Sequence, residues 1–182
     1  FTKTDIALHH SKENKSRVST YKENKNIKKK YKQNIAMATS IREALMNNRI
    51  ICHYQPIVNA STNEIDKYET LVRMIDKNGL IIPPIEFLDI SKKTKLYSHI
   101  TLEVINQACN TFENRSENFS VNLSIDDIKD PNTVYEIVKA ITTTKTASRI
   151  IFEILESEGI ENYEEVSDFI IQMKALGAKI AI

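Results

Sequence analysis

Residues 67–74, KYETLVRM, have the alternating pattern of a β-strand that carries charge on one side. Successive side chains of a strand point to opposite faces, so Glu69, Leu71 and Arg73 share one face. The opposite face then carries the small or apolar side chains of Tyr68, Thr70, Val72 and Met74. A carboxylate and a guanidinium on one face fit either a half-exposed strand with its polar side in water or a strand that faces a site.

Strands and helices alternate along the rest of the chain. The hydrophobic periodicity predicts helices over residues 27–48, 99–114, 133–144 and 163–177, and strands over 50–58, 64–74, 119–124, 149–157 and 178–182. Short connections between alternating elements are typical of parallel β/α units, whereas the turn-prone NASTN (59–63) predicts an antiparallel first hairpin. The sequence therefore predicts an α/β fold that contains part of a β/α barrel, preceded by a connecting helix.

Two later strands also carry an oxygen-bearing side chain near the C-terminal end. Asn122 lies in FSVNLS (119–124) and Glu153 in RIIFEIL (149–155). A parallel barrel builds its site from the C-terminal ends of its strands, so these two side chains and Glu69 could converge there. Two carboxylates and an amide oxygen are ligands that Mg²⁺, Mn²⁺ or Ca²⁺ prefer. Three unrelated polar residues at strand ends remain the alternative.

Charge and composition limit the classes of function. Residues 1–32 contain 10 Lys and Arg against 3 Asp and Glu, although the whole chain has a formal net charge of +1. A solvated linker explains this basic stretch better than a nucleic-acid or membrane surface, because little aromatic sequence accompanies it. No apolar run reaches the length of about 20 residues that a membrane helix needs, which predicts a cytoplasmic domain. Cys52 and Cys109 lack metal-ligand spacing and are expected to be core thiols.

Several ordered motifs give the chain a resemblance to a known family. They are YQPIV (54–58), ETLVR (69–73), IPPIEF (82–87), SVNLS (120–124), FEILES (152–157) and LGAKIAI (176–182). In order and spacing they resemble the EAL domain, the bacterial cyclic-di-GMP phosphodiesterase domain. Residues 4–18 resemble the closing helix and strand of a GGDEF domain, the cyclic-di-GMP synthase domain.

The resemblance implies a fold and a division of the chain. The fold would be an incomplete (β/α)8 TIM-like barrel of the EAL type with an antiparallel first strand and an N-terminal linker helix. The division would be a GGDEF remnant at 1–22, a basic linker and connecting helix at 23–49, and the N-terminal half of an EAL domain at 50–182. Expected partners are cyclic-di-GMP, a second copy in a homodimer, and upstream GGDEF and sensory domains of a protein that could be membrane-anchored. No binding of nucleic-acid polymers is expected.

The resemblance also implies roles for individual residues. Glu69, Asn122 and Glu153 match the ligands of divalent metal, Mg²⁺ or Mn²⁺, and Arg73 matches a contact to a substrate phosphate. The remaining matches are Gln55 and Leu71 in the nucleotide pocket, Pro84 near a guanine, and Glu156, which joins Glu69 in the catalytic set and steadies a neighbouring loop.

The chain departs from the family pattern at several positions. Thr70 replaces the usual Ala of the name-giving triplet, Leu155 replaces a Thr, and Ser91 and Lys92 replace Ala and Glu in an Ala-Glu-x-x-Gly-Leu stretch. The family's later metal ligands and catalytic lysine would follow Ile182, so these 182 residues alone are expected to be inactive. Two hypotheses stay open: a two-metal phosphodiesterase that yields linear pGpG, and an incomplete EAL-like module that binds cyclic-di-GMP or mediates dimerisation.

Overall fold

The computed structural model describes residues 8, 11–12, 25–154 and 163–181. Six helices and six strands lie within residues 25–154 and 163–181. They are α1 (Lys25–Met46), β1 (Ile50–Val58), β2 (Ile65–Ile75), β3 (Ile81–Ile82), α2 (Pro84–Lys93), α3 (Tyr97–Phe112), β4 (Asn118–Leu123), α4 (Ile125–Lys129), α5 (Pro131–Thr143), β5 (Ile150–Ile154), α6 (Tyr163–Ala175) and β6 (Lys179–Ala181).

The strands form one sheet in the order β1-β2-β4-β5-β6, and β3 pairs with β2. β1 and β2 are antiparallel, as the hairpin prediction required, and Asn63 in their turn has a left-handed φ of 57°. β2, β4, β5 and β6 pair in parallel, with a helical connection between each successive pair of them. The predicted partial barrel with an antiparallel first strand is thus confirmed.

Helices cover one side of this sheet and create the hydrophobic core. Phe119, Val121 and Leu123 alternate along β4 and pack with Phe152 of β5 in one buried cluster. Phe112, near the end of α3, stacks on Phe119 with ring centroids 4.5 Å apart. Burial of large aromatic and branched side chains makes the main favourable contribution to the folding free energy of such a layer. This packing therefore fixes which side of the sheet faces the helices.

The structure contains three short elements that the hydrophobic pattern did not predict, namely β3, α2 and α4. β3 has two residues, which is too short for any alternation to appear. α2 begins with Pro84 at its first turn, where a missing N–H costs nothing, and buries Phe87 and Ser91. α4 has five residues and depends on its capping interactions.

The two cysteines are packed on the helix-covered side of the sheet. Cys109 is fully buried in α3, and Cys52 is partly buried against the core. Burial raises the pKa of Cys52 to about 12 and also raises the pKa of Cys109. Both thiols are therefore protonated near neutral pH and supply no nucleophile.

Several sequence predictions fall wholly or mainly on residues outside the described ranges. They include the GGDEF remnant at 1–22, apart from residues 8, 11 and 12, and the catalytic assignment of Glu156. None of the helices in the described ranges has the length and hydropathy to cross a membrane.

Candidate active site

The side of the sheet away from the helices carries most of the predicted site residues. Strand register places their side chains on this side, because paired residues of neighbouring strands point the same way. We call it the polar face and define it by His53, Gln55, Lys67, Glu69, Leu71, Arg73, Ser120, Asn122, Glu153 and Lys179. The charged residues of KYETLVRM thus share a face with Asn122 and Glu153.

Asn122 and Glu153 are direct neighbours on the polar face. They are register partners in the parallel β4–β5 pair, and strands in a sheet lie about 4.8 Å apart. Both residues are partly exposed, whereas the residues on either side of them in these strands are buried under the helices. An amide oxygen and a carboxylate are therefore presented side by side, with access from the polar face.

Glu69 lies on the same face at a different level of the sheet. Its register partners are Gln55 in β1 and Ser120 in β4, so Asn122 is two residues further along β4. Sequence reasoning expected Glu69 near the C-terminal end of its strand, but β2 continues to Ile75. The reason is that the second half of β2 pairs with β1 and with β3, beyond the reach of β4. Convergence of Glu69 with the other two oxygen donors stays a prediction.

An ion pair joins two strands that are not neighbours. The Lys67 ammonium donates a hydrogen bond to Oε1 of Glu153 at 2.8 Å, although β4 lies between β2 and β5 in the sheet. Ser120, which belongs to this intervening strand and shares the polar face, is fully buried, and its hydroxyl has no hydrogen-bond partner among the residues that the structure describes. The predicted ligand Glu153 is therefore already in contact with a positive charge from the chain itself.

A capping box holds the chain immediately after β4. The Ser124 side chain accepts a hydrogen bond from the Asp127 N–H at 3.2 Å, and Asp127 Oδ2 accepts one from the Ser124 N–H at 3.1 Å. Thr101 in α3 also donates to the same oxygen at 3.0 Å. Because Asp127 is buried, these bonds anchor the β4 end to α3 and so limit the movement of nearby Asn122.

A cavity of about 240 Å³ opens at this end of the sheet, between β2 and the helices α2 and α3. Three predicted site residues, Leu71, Pro84 and Asn122, contribute to its lining. The remaining lining is largely apolar and comes from Thr70, Val72, Leu88, Tyr97, Ile100, Thr101 and Val104. Glu69, Gln55, Arg73 and Glu153, all within the described ranges, do not contribute to it.

Arg73 stays close to its own strand. Its guanidinium donates to the carbonyl of Val72 at 2.7 Å, and the residue is partly exposed on the polar face. A guanidinium has five N–H donors in a planar fork, so this bond uses only one of them.

Most of the chain matches one known protein family. Residues 38–182 match the profile of the EAL domain. This chain is a member of the EAL domain family.

Two relatives resemble the chain over most of its length. It is 30% identical over 151 residues to an uncharacterised signalling protein of Caulobacter vibrioides, covering 80% of this chain and 18% of that protein. It is 26% identical over 162 residues to the cyclic di-GMP phosphodiesterase PdeF of Escherichia coli, covering 86% of this chain and 21% of that protein. The chain therefore spans about a fifth of the length of these relatives.

A solved structure shares the fold. The PaMucR phosphodiesterase in its c-di-GMP complex superposes with a TM-score of 0.74 at 26% identity, covering 81% of this chain and 62% of that one. The superposition agrees with the partial EAL barrel described above.

The donor chemistry of the polar face fits the divalent metal that EAL phosphodiesterases use. Glu69, Asn122 and Glu153 present oxygen atoms on one face, two of them as carboxylates. Within the described ranges, no group of three or more His, Cys, Asp or Glu side chains is placed to hold a metal ion.

Sequence reasoning missed Lys67 and Asp127. Lys67 could have been found by parity, because it lies two residues before Glu69 and therefore on the same face. Asp127 could have been found by the Ser-x-x-acid spacing after a strand, which is typical of a helix N-terminus. Neither signal predicts the residue that each side chain contacts, which is Glu153 for Lys67 and Thr101 for Asp127.

Proposed function

We propose that this EAL domain belongs to a cyclic-di-GMP phosphodiesterase that opens one phosphodiester of the cyclic dinucleotide to give linear pGpG. The observation that carries the proposal is the pairing of Asn122 with Glu153 on the face that also presents Glu69 and Arg73. The phosphodiesterases among its relatives, such as PdeF, support the same reaction.

In this proposal the polar face supplies oxygen ligands for Mg²⁺ or Mn²⁺. Glu69, Asn122 and Glu153 would hold the ion, and Glu156 would steady a neighbouring loop. When bound, such an ion lowers the pKa of a water molecule and neutralises charge on a phosphate. The chain's own contribution is to position three oxygens and to keep them accessible, since all three residues are partly exposed.

Arg73 and the cavity residues would bind the substrate itself. The guanidinium of Arg73 suits a phosphate oxygen, because charge-assisted bonds from a guanidinium are strong and directional. Gln55 would contact the nucleotide from β1, whereas Leu71 and Pro84 line the apolar cavity that would receive a base. Flat heterocycles gain most of their affinity from such apolar walls.

The experiment is a chromatographic assay for linear pGpG with the complete protein and Mg²⁺ or Mn²⁺. Glu69→Ala is expected to lower turnover by more than about 100-fold, because it removes a metal ligand. Arg73→Ala is expected to raise KM by about 10- to 100-fold with a smaller change in kcat, since a charge-assisted bond to the substrate is lost.

Matched controls separate these roles from general damage. Asp66→Ala removes an exposed carboxylate from the opposite side of the same strand, and Arg42→Ala removes an exposed guanidinium from α1. Neither control should change kcat or KM by more than about twofold. Undiminished turnover in Glu69→Ala would contradict the proposal.

A second candidate function is a module that binds cyclic-di-GMP without hydrolysing it. The ion pair between Lys67 and Glu153 favours it, because an ammonium at a metal ligand opposes metal binding. Equilibrium binding of the dinucleotide without any product, in the same Mg²⁺ and Mn²⁺ buffers, would select this candidate over the enzyme.

A further inference from the structure

The Lys67–Glu153 ion pair is partly withdrawn from water. The two side chains retain only 22% and 25% of their exposure, and the Nζ–Oε1 distance is 2.8 Å. Exposed ion pairs contribute little because water and salt screen them. At this degree of burial the attraction between the two charges is stronger than in an exposed pair. Breaking the pair would leave each charge partly buried without its partner, which costs free energy.

The position of the pair matters more than its strength. Lys67 reaches Glu153 from β2 across the whole width of β4. Lysine has a flexible four-carbon stem that can release the carboxylate without any backbone movement. The ammonium is thus a tethered cation whose local concentration at Glu153 is set by the fold rather than by the solution.

A divalent ion at Glu153 must compete with this tethered cation. Both need the same carboxylate, and an ion coordinated by Glu153 would meet the positive charge of Lys67 at short range. We propose that Lys67 is an internal competitor for the divalent cation and that it raises the metal concentration at which the polar face fills. This inference rests on the proposed function, since it assumes that Glu153 is a metal ligand.

The test is a Mn²⁺ titration of the complete, metal-stripped protein without nucleotide, followed by the EPR signal of free Mn²⁺. Lys67→Met keeps an unbranched side chain of similar length and removes the charge. Its dissociation constant for Mn²⁺ is expected to fall by about 5- to 50-fold relative to wild type. Lys67→Arg keeps the charge and should remain closer to wild type than to Lys67→Met.

A matched control distinguishes direct competition from a general change of charge. Lys179→Met removes an exposed positive charge from β6, also on the polar face, where Lys179 is the register partner of Ile151 rather than of Glu153. It should change the Mn²⁺ dissociation constant by less than about twofold. Equal gains in Lys67→Met and Lys179→Met would overturn the proposal.

Other outcomes are equally decisive. Unchanged or weaker Mn²⁺ binding in Lys67→Met, or no measurable Mn²⁺ binding in any variant, would overturn the proposal. If Lys67→Met fails to fold, as judged by circular dichroism, Lys67→Gln serves in its place with the same expectation.

The proposed function fails separately from this inference. Absence of pGpG production by the wild type, with the Mn²⁺ contrast intact, would remove only the phosphodiesterase. Normal production without the contrast would remove only the competing role of Lys67.

Discussion

Replacing Lys95 with glycine should stabilise the turn between α2 and α3. Lys95 has a left-handed φ of 57°. The Leu96 N–H donates a hydrogen bond to the Ser91 carbonyl at 2.9 Å, and this bond closes a turn of six residues. This is the Schellman arrangement, in which the left-handed position favours glycine. The family's usual Ala-Glu-x-x-Gly-Leu stretch has its glycine at the position of Lys95.

The expected gain follows from two opposing terms. A side chain with a Cβ costs about 1–2 kcal/mol in the left-handed region, whereas glycine loses more backbone entropy on folding, which costs about 0.5–1 kcal/mol. The Lys95 side chain is exposed, so its removal sacrifices little packing. The net effect of Lys95→Gly is a stabilisation of about 0.5–1 kcal/mol, which corresponds to a rise in Tm of about 1–4 °C.

Scanning calorimetry of the complete protein measures this shift, and two further variants test its cause. Lys95→Ala keeps the Cβ and should change the unfolding free energy by less than about 0.5 kcal/mol. Lys145, in the same position after α5 with φ 54°, should respond to Lys145→Gly with the same sign. A Tm of Lys95→Gly at or below that of Lys95→Ala would refute the argument from backbone strain.

Two further changes test the core and a helix start. Phe112→Ala should lower the unfolding free energy measured by urea titration by about 3–5 kcal/mol. It removes a buried ring that stacks on Phe119 and meets Tyr54 edge-on with ring centroids 5.3 Å apart. A loss under about 1.5 kcal/mol would contradict this packing. Asp130→Ala should cost about 1 kcal/mol at pH 7, because Asp130 caps α5. Hydrogen bonds from Thr133 first, and then from backbone N–H groups, lower the pKa of Asp130 below its ordinary 3.8. The stabilisation by the Asp130 carboxylate is therefore present above pH 3.8 and is lost as the pH falls through the lower pKa of the folded state. The difference in melting temperature between wild type and Asp130→Ala should shrink below about pH 4. A difference independent of pH would contradict the capping role of the carboxylate.

The local pattern of the sequence determined the longer elements and the faces of the strands, although it did not reveal β3, α2 and α4. Alternation in KYETLVRM placed Glu69 and Arg73 on one side of β2, and the same alternation placed Asn122 and Glu153 on their strands. These features could be predicted because side-chain direction in a strand depends only on the parity of the residue. The order of strands and helices then restricted the sheet to a parallel arrangement after one hairpin.

Tertiary structure alone decided how the polar residues meet. Parity assigns Lys67 to the polar face, but only the sheet order and the side-chain conformations bring its ammonium to Glu153 across β4. The level of Glu69 likewise depends on how far β2 extends beyond β4, which is set by pairing with β1 and β3. Both features arise from contacts between residues distant in sequence, and such contacts leave no periodic signal in the local sequence.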